Sequence, residues 1–195
     1  MLHISYGDIS LDIEYNEKCL REYFPSKASQ NLIDSLCKKS NEQARAESLC
    51  AYLNLGILLS NNGIDTKCLD ISKTADGKPY FENSDVFFSI SHTDKYFAVA
   101  IADSEVGIDI ESKDMSEEKR RSIAKRFFLP DEAEQVSDRD SFLRIWTFKE
   151  AYAKMTGLPL PRAINKVSVF NGGINKSHEA YNEAIICICL KEKSR

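Results

Sequence analysis

Residues 146–154, with the sequence WTFKEAYAK, place Trp146, Glu150 and Lys154 at intervals of four. On an α-helix this spacing puts the three side chains on one stripe. The surrounding sequence, SFLRIWTFKEAYAKMTG, predicts a long helix that ends near Gly157. A glutamate four residues before a lysine is also a common surface pair, worth roughly 0.2–0.5 kcal/mol. The stripe therefore predicts a helix, but by itself it favours an ordinary solvated face.

A second set of carboxylates lies in the segment VGIDIE. On a β-strand, Asp109 and Glu111 point to one face, and Ile108 and Ile110 point to the other. This pattern is typical of an amphipathic strand with a solvated outer face. It also fits a cation between the two carboxylates, which otherwise repel each other. With Glu150 as a third oxygen donor, the set would suit Mg²⁺.

Charge and composition argue against several classes of protein. The chain has 195 residues, enough for one domain or two small ones, and a net charge of −4. This charge gives no general attraction for nucleic acids or anionic membranes. No apolar run approaches the roughly 18 residues of a membrane span. The first residues do not predict a secretory signal.

The cysteines indicate a reducing compartment. Six are scattered along the chain without a C-x-x-C pair, and Cys187 and Cys189 alternate on one face of the apparent buried strand AIICICL. A disulfide framework or a zinc site is therefore not expected. The expected compartment is the cytoplasm.

The remaining patterns mix strands and helices. A turn is expected at Gly7–Asp8 in the first strand region, and an amphipathic helix is predicted from about Asn41 to Leu59. A hairpin is predicted in VFFSISHTDKYFAVAIAD and a helix after an N-cap at Ser116. Further strands are predicted in KPYF, VGIDIE, KVSVF and AIICICL. With antiparallel hairpins among the strands, the predicted fold class is α+β.

Four segments, GKPYF, FSISHT, VGIDIE and WTFKEAYAK, resemble in order and separation the signature motifs of 4′-phosphopantetheinyl transferases. The resemblance covers residues 77–154, and it is to the larger, pseudo-dimeric type related to the enzyme that activates surfactin synthetase. It implies two similar α/β halves in tandem, here 1–102 and 103–195, with the active site in the cleft between them. The second half would carry the metal-binding carboxylates.

The resemblance also implies a reaction. Phosphopantetheine would move from coenzyme A to a serine of an apo acyl or peptidyl carrier protein, in a Mg²⁺-dependent step that releases adenosine 3′,5′-bisphosphate. Asp109, Glu111 and Glu150 would bind the metal, with Mn²⁺ as an alternative ion. Glu150 would also accept the serine proton, with a water molecule on the metal as the alternative base. Lys154 would contact the phosphates as a compact point charge.

Two other residues of the same helix have different expected roles. Trp146 is expected to anchor the helix by packing, because tryptophan contributes mostly through its buried area. Lys149 lies about 100° from Glu150 around the helix. It could serve either the phosphates or a structural ion pair.

The first half is expected to contact coenzyme A. Ser91 and His92 resemble the family's segment that contacts the phosphates. Lys78 and Pro79 resemble the loop beside the adenine, where the rigid proline would matter as much as the lysine charge.

One position departs from the family pattern. Relatives often carry an arginine before a Ser-Leu or Thr-Leu pair in the first long helix, where it binds the 3′-phosphate. This chain has Glu47 before Ser48 instead. Arg45 and Lys27 are the candidates to replace that arginine.

A basic segment follows VGIDIE. It ends at Phe127 and contains Lys113, Lys119, Arg120, Arg121, Lys125 and Arg126. One interpretation is an ordinary solvated helix face. The other is a docking surface for an acidic carrier protein, in which Arg121 and Lys125 steer the partner and Phe127 supports the contact.

The expected function is therefore phosphopantetheinyl transfer by a holo-carrier-protein synthase. Two alternatives stay open: a non-catalytic protein that binds coenzyme A or a carrier protein, and a Mg²⁺-dependent hydrolase that cleaves coenzyme A without an acceptor. Because fused halves would already contain both sides of the cleft, a monomer is expected. The sequence leaves open whether the carriers belong to fatty-acid, polyketide or peptide synthetases.

Overall fold

The structure is a computed structural model, and it describes residues 1–170 and 173–192. The chain divides into two compact units, Met1–Asp103 and Ser104–Arg195. Both units contain helices and strands, which confirms the mixed α and β content predicted from the sequence. The halves 1–102 and 103–195 stay a prediction about domain organisation.

The first unit combines an antiparallel sheet with three helices. Its elements in chain order are β1 (Leu2–Asp8), α1 (Ile13–Tyr23), α2 (Lys27–Cys37), α3 (Glu42–Asn61), a short 3-10 helix (Thr66–Cys68), β2 (Ile71–Lys73), β3 (Pro79–Phe81), β4 (Phe87–His92) and β5 (Tyr96–Ala102). The main sheet has the order β1-β5-β4, and β2 pairs separately with β3.

Helix α3 lies at the centre of this unit's core. Asn41 caps its start by accepting a hydrogen bond from the Ala44 backbone amide at 2.9 Å, as expected for a residue of this type before a helix. The helix packs against β4 and β5, and β5 is buried along its whole length. Apolar side chains from α3 and β5, such as Leu55 and Ile101, form one buried cluster.

The second unit has the same kind of architecture. Its elements are β6 (Val106–Glu111), α4 (Glu117–Phe127), α5 (Pro130–Glu134), α6 (Arg139–Thr156), α7 (Leu160–Ala163), β7 (Asn175–Tyr181) and β8 (Ala184–Leu190). The sheet is antiparallel, with the order β6-β8-β7, and α6 packs against β6 and β8.

Helix α6 has a capping residue at each end. Asp138 caps its start by accepting a hydrogen bond from the Ser141 amide at 2.8 Å. Gly157 follows its last residue with a φ of 70°, a left-handed conformation that glycine adopts at low cost. The end predicted at Gly157 is therefore confirmed.

The two units share one strand order. In each main sheet the first strand of the unit lies at one edge, the last strand lies in the middle, and the strand before the last lies at the other edge. All of these pairings are antiparallel. In each unit the longest helix packs against the middle strand, α3 on β5 and α6 on β8.

Two expectations about strands are wrong. No turn interrupts β1 at Gly7–Asp8, because the strand continues to Asp8 and Gly7 pairs with Phe97. The segment KVSVF, residues 166–170, is not a strand, although its alternation mimics one. There the Val169 amide donates to the Glu132 carboxylate at 2.6 Å instead of to a neighbouring strand.

Within residues 1–170 and 173–192, no helix combines the length and the apolar character needed to cross a bilayer.

Candidate active site

A close contact between β6 and α6 brings the predicted metal-binding residues together. Gly107 lies against the helix backbone, since a Cβ built there would be 1.9 Å from the Ala151 carbonyl oxygen and 2.5 Å from the Met155 nitrogen. Gly107 and Asp109 share one face of the strand, so the same contact carries Asp109 to α6. A glycine inside a strand often marks the close approach of another backbone. This glycine is the sequence signal by which the contact could have been found.

Asp109 and Lys154 form an ion pair across this contact. Lys154 Nζ donates to Asp109 Oδ1 at 2.7 Å, and the two side chains are 29% and 9% exposed. A carboxylate this deeply buried needs a charged or hydrogen-bonding partner. Asp109 therefore does not lie on a solvated strand face, and the plain amphipathic interpretation of VGIDIE is wrong for this residue.

Glu150 lies one helical turn before Lys154 and is half-buried. The pKa of its carboxyl is raised to about 7, mainly by burial and then by the charge of Asp109; the Lys154 ammonium partly offsets the rise, and the charge of Glu111 adds a smaller one. Four charged side chains from β6 and α6 thus influence one another at a single place. A carboxyl with a pKa near 7 can accept and release a proton at neutral pH.

Glu111, the third predicted metal ligand, lies at the end of β6. Its Oε1 accepts hydrogen bonds from the backbone amides of Ser112 at 2.9 Å and Lys113 at 2.8 Å. These bonds hold the carboxylate against its own loop. In this arrangement Glu111 is hydrogen-bonded to the amides of its own loop, and Asp109 is paired with the Lys154 ammonium.

The part of the chain that the structure describes holds no group of three His, Cys, Asp or Glu side chains arranged to bind a metal ion. The chemistry of the three carboxylates nevertheless suits Mg²⁺, which prefers oxygen ligands. Burial is the main cause of the raised pKa of Glu150, and repulsion by Asp109 and Glu111 adds to it; a cation would relieve that repulsion. The metal role of Asp109, Glu111 and Glu150 stays a prediction.

The two roles left open for Lys149 are resolved in favour of a structural ion pair. Lys149 Nζ lies 2.7 Å from Glu132 Oε2 with both side chains 0% exposed, and it also donates to the Val167 carbonyl. Glu132 accepts further hydrogen bonds from the amides of Leu129 at 2.9 Å and Val169 at 2.6 Å. Lys149 therefore fixes α5 and the loop at Val167 to α6. No sequence pattern singled out Glu132 as its partner.

Trp146 packs as expected. Its ring stacks on Phe142 with centroids 6.1 Å apart and lies 6.4 Å from Phe128. The indole is part of an apolar cluster between α4 and α6. It anchors the helix whose next turns carry Glu150 and Lys154.

The predicted coenzyme A contacts Ser91 and His92 lie at the end of β4, in the first unit. Ser91 is buried and His92 is half-buried. His92 Nδ1 lies 3.3 Å from Glu47 Oε2 on α3, and the Glu47 side chain is 13% exposed. The residue that departs from the family pattern thus lies directly beside a predicted phosphate contact, where it would pair with a protonated imidazole.

Lys78 and Pro79 lie where a tight turn enters β3. The Lys78 amide donates to Thr74 Oγ1 at 3.1 Å, and the Lys78 carbonyl accepts from the Thr74 amide at 2.9 Å. Gly77 supplies the positive φ of 85° that this turn needs. The turn therefore holds the backbone of Lys78 in a defined position.

Arg45 and Lys27, the candidates to replace the missing arginine, differ in environment. Arg45 lies in the first turns of α3, where Nη1 donates to the Cys37 carbonyl at 3.4 Å. Its Nε is buried and has no hydrogen-bond partner among the residues that the structure describes. Lys27 is the exposed first residue of α2.

The predicted docking residues lie on and beside α4. Arg121 pairs with Glu117 at 2.6 Å, and both side chains are more than half exposed. Lys125 is exposed as well. Phe127 is half-buried, and the Arg126 guanidinium lies 5.0 Å from the centre of its ring. The helix therefore presents basic side chains to solvent beside a partly covered aromatic ring.

This chain is similar to known proteins. Residues 105–193 match the family model described as the 4′-phosphopantetheinyl transferase superfamily. A 4′-phosphopantetheinyl transferase of Bacillus subtilis is 28% identical over 167 residues, which cover 82% of this chain and 66% of that protein. The 4′-phosphopantetheinyl transferase gsp of Aneurinibacillus migulanus is 39% identical over 95 residues, 46% of this chain and 38% of that protein. The 4′-phosphopantetheinyl transferase Sfp of Bacillus subtilis strain 168 is 28% identical over 174 residues, 84% of this chain and 73% of that protein.

These matches confirm the resemblance drawn from the motifs. The chain covers 66% of the length of the first relative and 38% of the second, less than two thirds in both cases. The family model covers nearly all of the second unit. That unit contains all four of the charged side chains gathered between β6 and α6, namely Asp109, Glu111, Glu150 and Lys154.

Proposed function

We propose that this chain, whose residues 105–193 belong to the 4′-phosphopantetheinyl transferase superfamily, transfers 4′-phosphopantetheine from coenzyme A to a serine of an apo acyl or peptidyl carrier protein. One observation carries the proposal beyond the family match. Glu150, with a pKa raised to about 7, lies among Asp109, Glu111 and Lys154. This arrangement suits proton transfer beside a polyphosphate.

In the proposed reaction the serine oxygen forms a bond to the β-phosphorus of coenzyme A. The bond from that phosphorus to the bridging oxygen breaks, and the electron pair leaves with adenosine 3′,5′-bisphosphate. The serine proton passes to Glu150, directly or through a water molecule. With no metal bound, a pKa of about 7 makes this carboxylate a stronger base than an ordinary glutamate. A metal ion held by Glu150 would lower this basicity, so a water molecule is the alternative acceptor of the proton.

Asp109, Glu111 and Glu150 would hold Mg²⁺, or Mn²⁺ in its place. When bound, the metal neutralises the negative charge that grows on the diphosphate during transfer. The loop amides donate only to Oε1 of Glu111, so Glu111 could act as a ligand without leaving them, whereas Lys154 would release Asp109. The released Lys154 ammonium would then bind a phosphate oxygen.

The first unit would bind coenzyme A through Lys78, Pro79, Ser91 and His92, as the resemblance implies. The strand order common to both units supports the proposal of two similar halves in tandem, 1–102 and 103–195. An active site in the cleft between those halves is the part of this proposal that rests on the family resemblance alone.

The exposed basic face of α4 would receive the carrier protein. Arg121 and Lys125 would attract its acidic surface, and Phe127 would add an apolar contact. We further propose that the protein acts as a monomer in the cytoplasm, without nucleic acid or membrane as partners.

The test uses chromatography to measure the release of adenosine 3′,5′-bisphosphate from coenzyme A. Reactions are run with and without an apo carrier protein. The proposal expects release that requires the carrier protein and stops in EDTA or in the Asp109→Asn variant. Release without a carrier would indicate a hydrolase instead. Binding of coenzyme A with no release under any condition would indicate a non-catalytic binding protein.

A further inference from the structure

The ion pair of Lys154 and Asp109 joins two elements of the second unit. Lys154 Nζ donates to Asp109 Oδ1 at 2.7 Å, across the contact between α6 and β6. Asp109 is nearly buried and Lys154 is half-buried, so water screens this pair only in part. A carboxylate in such a place needs a cation, and the lysine supplies it.

The backbones on both sides of this pair have little room to shift. Gly107 of β6 lies against α6, where a Cβ would be 1.9 Å from the Ala151 carbonyl oxygen. The sheet also holds the strand in place, because Asp109 pairs with Cys187 of β8. The Lys154 ammonium, by contrast, is carried by a flexible four-carbon stem. A rearrangement at this site is therefore expected in the lysine side chain and not in the backbone.

A divalent cation at Asp109 would compete with the ammonium for one carboxylate. Asp109, Glu111 and Glu150 are the proposed Mg²⁺ ligands. The Lys154 charge also acts on Glu150, where it offsets part of the rise in the pKa. A dication on either oxygen of Asp109 would lie a few ångström from Nζ, and like charges repel strongly where water is largely excluded. Lys154 and a metal ion therefore do not both hold Asp109.

We propose that Lys154 is a displaceable counter-ion of Asp109, and that its exchange between Asp109 and a phosphate oxygen couples the binding of the metal to the binding of coenzyme A. The inference rests on the function proposed above, which supplies the diphosphate that receives the ammonium. Lys154 leaves Asp109 when a divalent ion takes that carboxylate. Its ammonium, one helical turn after Glu150, then turns to the phosphates and no longer opposes the metal.

The exchange implies a coupling that acts in both directions. Displacement of Lys154 from Asp109 costs the free energy of the ion pair, so the metal alone binds weakly. A phosphate oxygen that receives the ammonium restores part of this free energy. Coenzyme A therefore tightens metal binding, and the metal tightens coenzyme A binding by the same factor. Glu111 takes no part in the exchange, because neutral backbone amides hold its Oε1.

The first measurement follows Lys154 by reductive methylation with formaldehyde and cyanoborohydride, read by peptide mass spectrometry. The exposed Lys166 of the same unit is the internal reference. Samples contain EDTA, Mg²⁺, or Mg²⁺ with S-methyl-coenzyme A, whose blocked thiol does not consume the reagent. Relative to Lys166, labelling of Lys154 is expected to be low in EDTA, to rise at least about fivefold with Mg²⁺, and to fall again with the coenzyme A derivative.

The second measurement is the affinity for Mn²⁺, from the paramagnetic resonance signal of the free ion. Without coenzyme A, Lys154→Met is expected to bind Mn²⁺ at least about fivefold more tightly than the wild type, because no ammonium has to be displaced. Lys166→Met, the matched control, should bind Mn²⁺ as the wild type does. Addition of coenzyme A should tighten Mn²⁺ binding more in the wild type than in Lys154→Met.

Three results would overturn the inference: labelling of Lys154 that does not change when Mg²⁺ is added, labelling that stays high with the coenzyme A derivative, and equal Mn²⁺ affinity in the wild type and Lys154→Met. Failure of both proteins to bind Mn²⁺ would overturn the proposed metal site as well. Neither measurement follows transfer. A protein that shows the exchange but modifies no carrier would therefore contradict the proposed function alone.

Discussion

Gly107 of β6 lies so close to Ala151 of α6 that a Cβ on the glycine would be 1.9 Å from the Ala151 carbonyl oxygen. The obstacle is helix backbone, which cannot rotate aside as a side chain can. The contact sets the distance between the strand that carries Asp109 and Glu111 and the helix that carries Glu150 and Lys154. The absence of a Cβ at Gly107 therefore allows the strand and the helix to come close enough to form the site.

The first prediction is that Gly107→Ala lowers the free energy of unfolding of the second unit by more than about 3 kcal/mol, because strand and helix must separate. Trp146 is the only tryptophan of the chain and lies in this unit, so its fluorescence in a urea titration reports the transition. Gly63→Ala is the comparison, because a Cβ there meets open space and only its φ of 75° is unfavourable. An unfolding midpoint of Gly107→Ala equal to that of the wild type would refute this account of the contact.

The second prediction concerns the buried pair of Lys149 and Glu132. Lys149→Met leaves the Glu132 carboxylate buried without its cation, which is expected to cost about 3–5 kcal/mol. The double variant Lys149→Met/Glu132→Gln should lose clearly less than the sum of the two single variants, since it leaves no uncompensated charge. Urea unfolding of all four proteins measures the coupling, and Lys166→Met, at an exposed site, controls for the loss of a lysine. Strictly additive effects would show that the two side chains do not interact.

The sequence predicted elements well and contacts between elements poorly. The strand VGIDIE, the helix that begins after Asn41 and the helix that ends at Gly157 are all found where the patterns predicted them. These features depend on neighbouring residues, as periodicity and capping do. The pairing of Asp109 with Lys154 joins residues 45 positions apart, and nothing in the spacing of either segment specifies it.

One wrong prediction and one question that the sequence left open have the same origin. KVSVF alternates as a strand does, but the buried Glu132 carboxylate takes the Val169 amide. The choice between two roles for Lys149 depended on Glu132, which lies in a short helix without a motif of its own. Helices α1 and α2 also lie outside the predicted set. Long-range polar partners decide such cases, and a single sequence does not show them.

The third prediction is a pH dependence of stability. The folded-state pKa of Glu150, about 7, exceeds its ordinary value of 4.5, so the folded protein binds the extra proton between these values. The stability that Glu150 contributes is therefore fully present below about pH 4.5 and is lost as the pH rises through about 7. Glu150→Gln, which carries no charge at any pH, should be more stable than the wild type at pH 8 by on the order of 1–3 kcal/mol.

The measurement is urea unfolding in EDTA across this pH range. The advantage of Glu150→Gln is expected to shrink to nothing as the pH falls toward the ordinary pKa of a glutamate. Glu134→Gln, at an exposed carboxylate of α5, should show no such trend. A constant difference between Glu150→Gln and the wild type at every pH would contradict the raised pKa.

The fourth prediction distinguishes the proposed carrier-protein surface on α4 from the proposed coenzyme A contacts. Lys125→Glu should raise the KM for the carrier protein several-fold and leave the KM for coenzyme A unchanged, because the charge reversal repels an acidic partner. Arg121→Glu should have a smaller effect, since Glu117 already pairs with Arg121 at 2.6 Å. Steady-state kinetics at low and high salt would measure both, with Lys18→Glu on α1 as a control. Equal changes in both KM values would rule out α4 as the docking surface.

The central claim is tested most directly by intact-mass measurement of an apo carrier protein incubated with this chain, coenzyme A and Mg²⁺. Parallel reactions contain EDTA or the Glu150→Gln variant, and carriers of fatty-acid, polyketide and peptide synthetases are each offered. The account predicts that at least one carrier gains the mass of one phosphopantetheine group, and that both parallel reactions abolish the gain. Unmodified carriers of all three classes, in samples that bind coenzyme A, would contradict it.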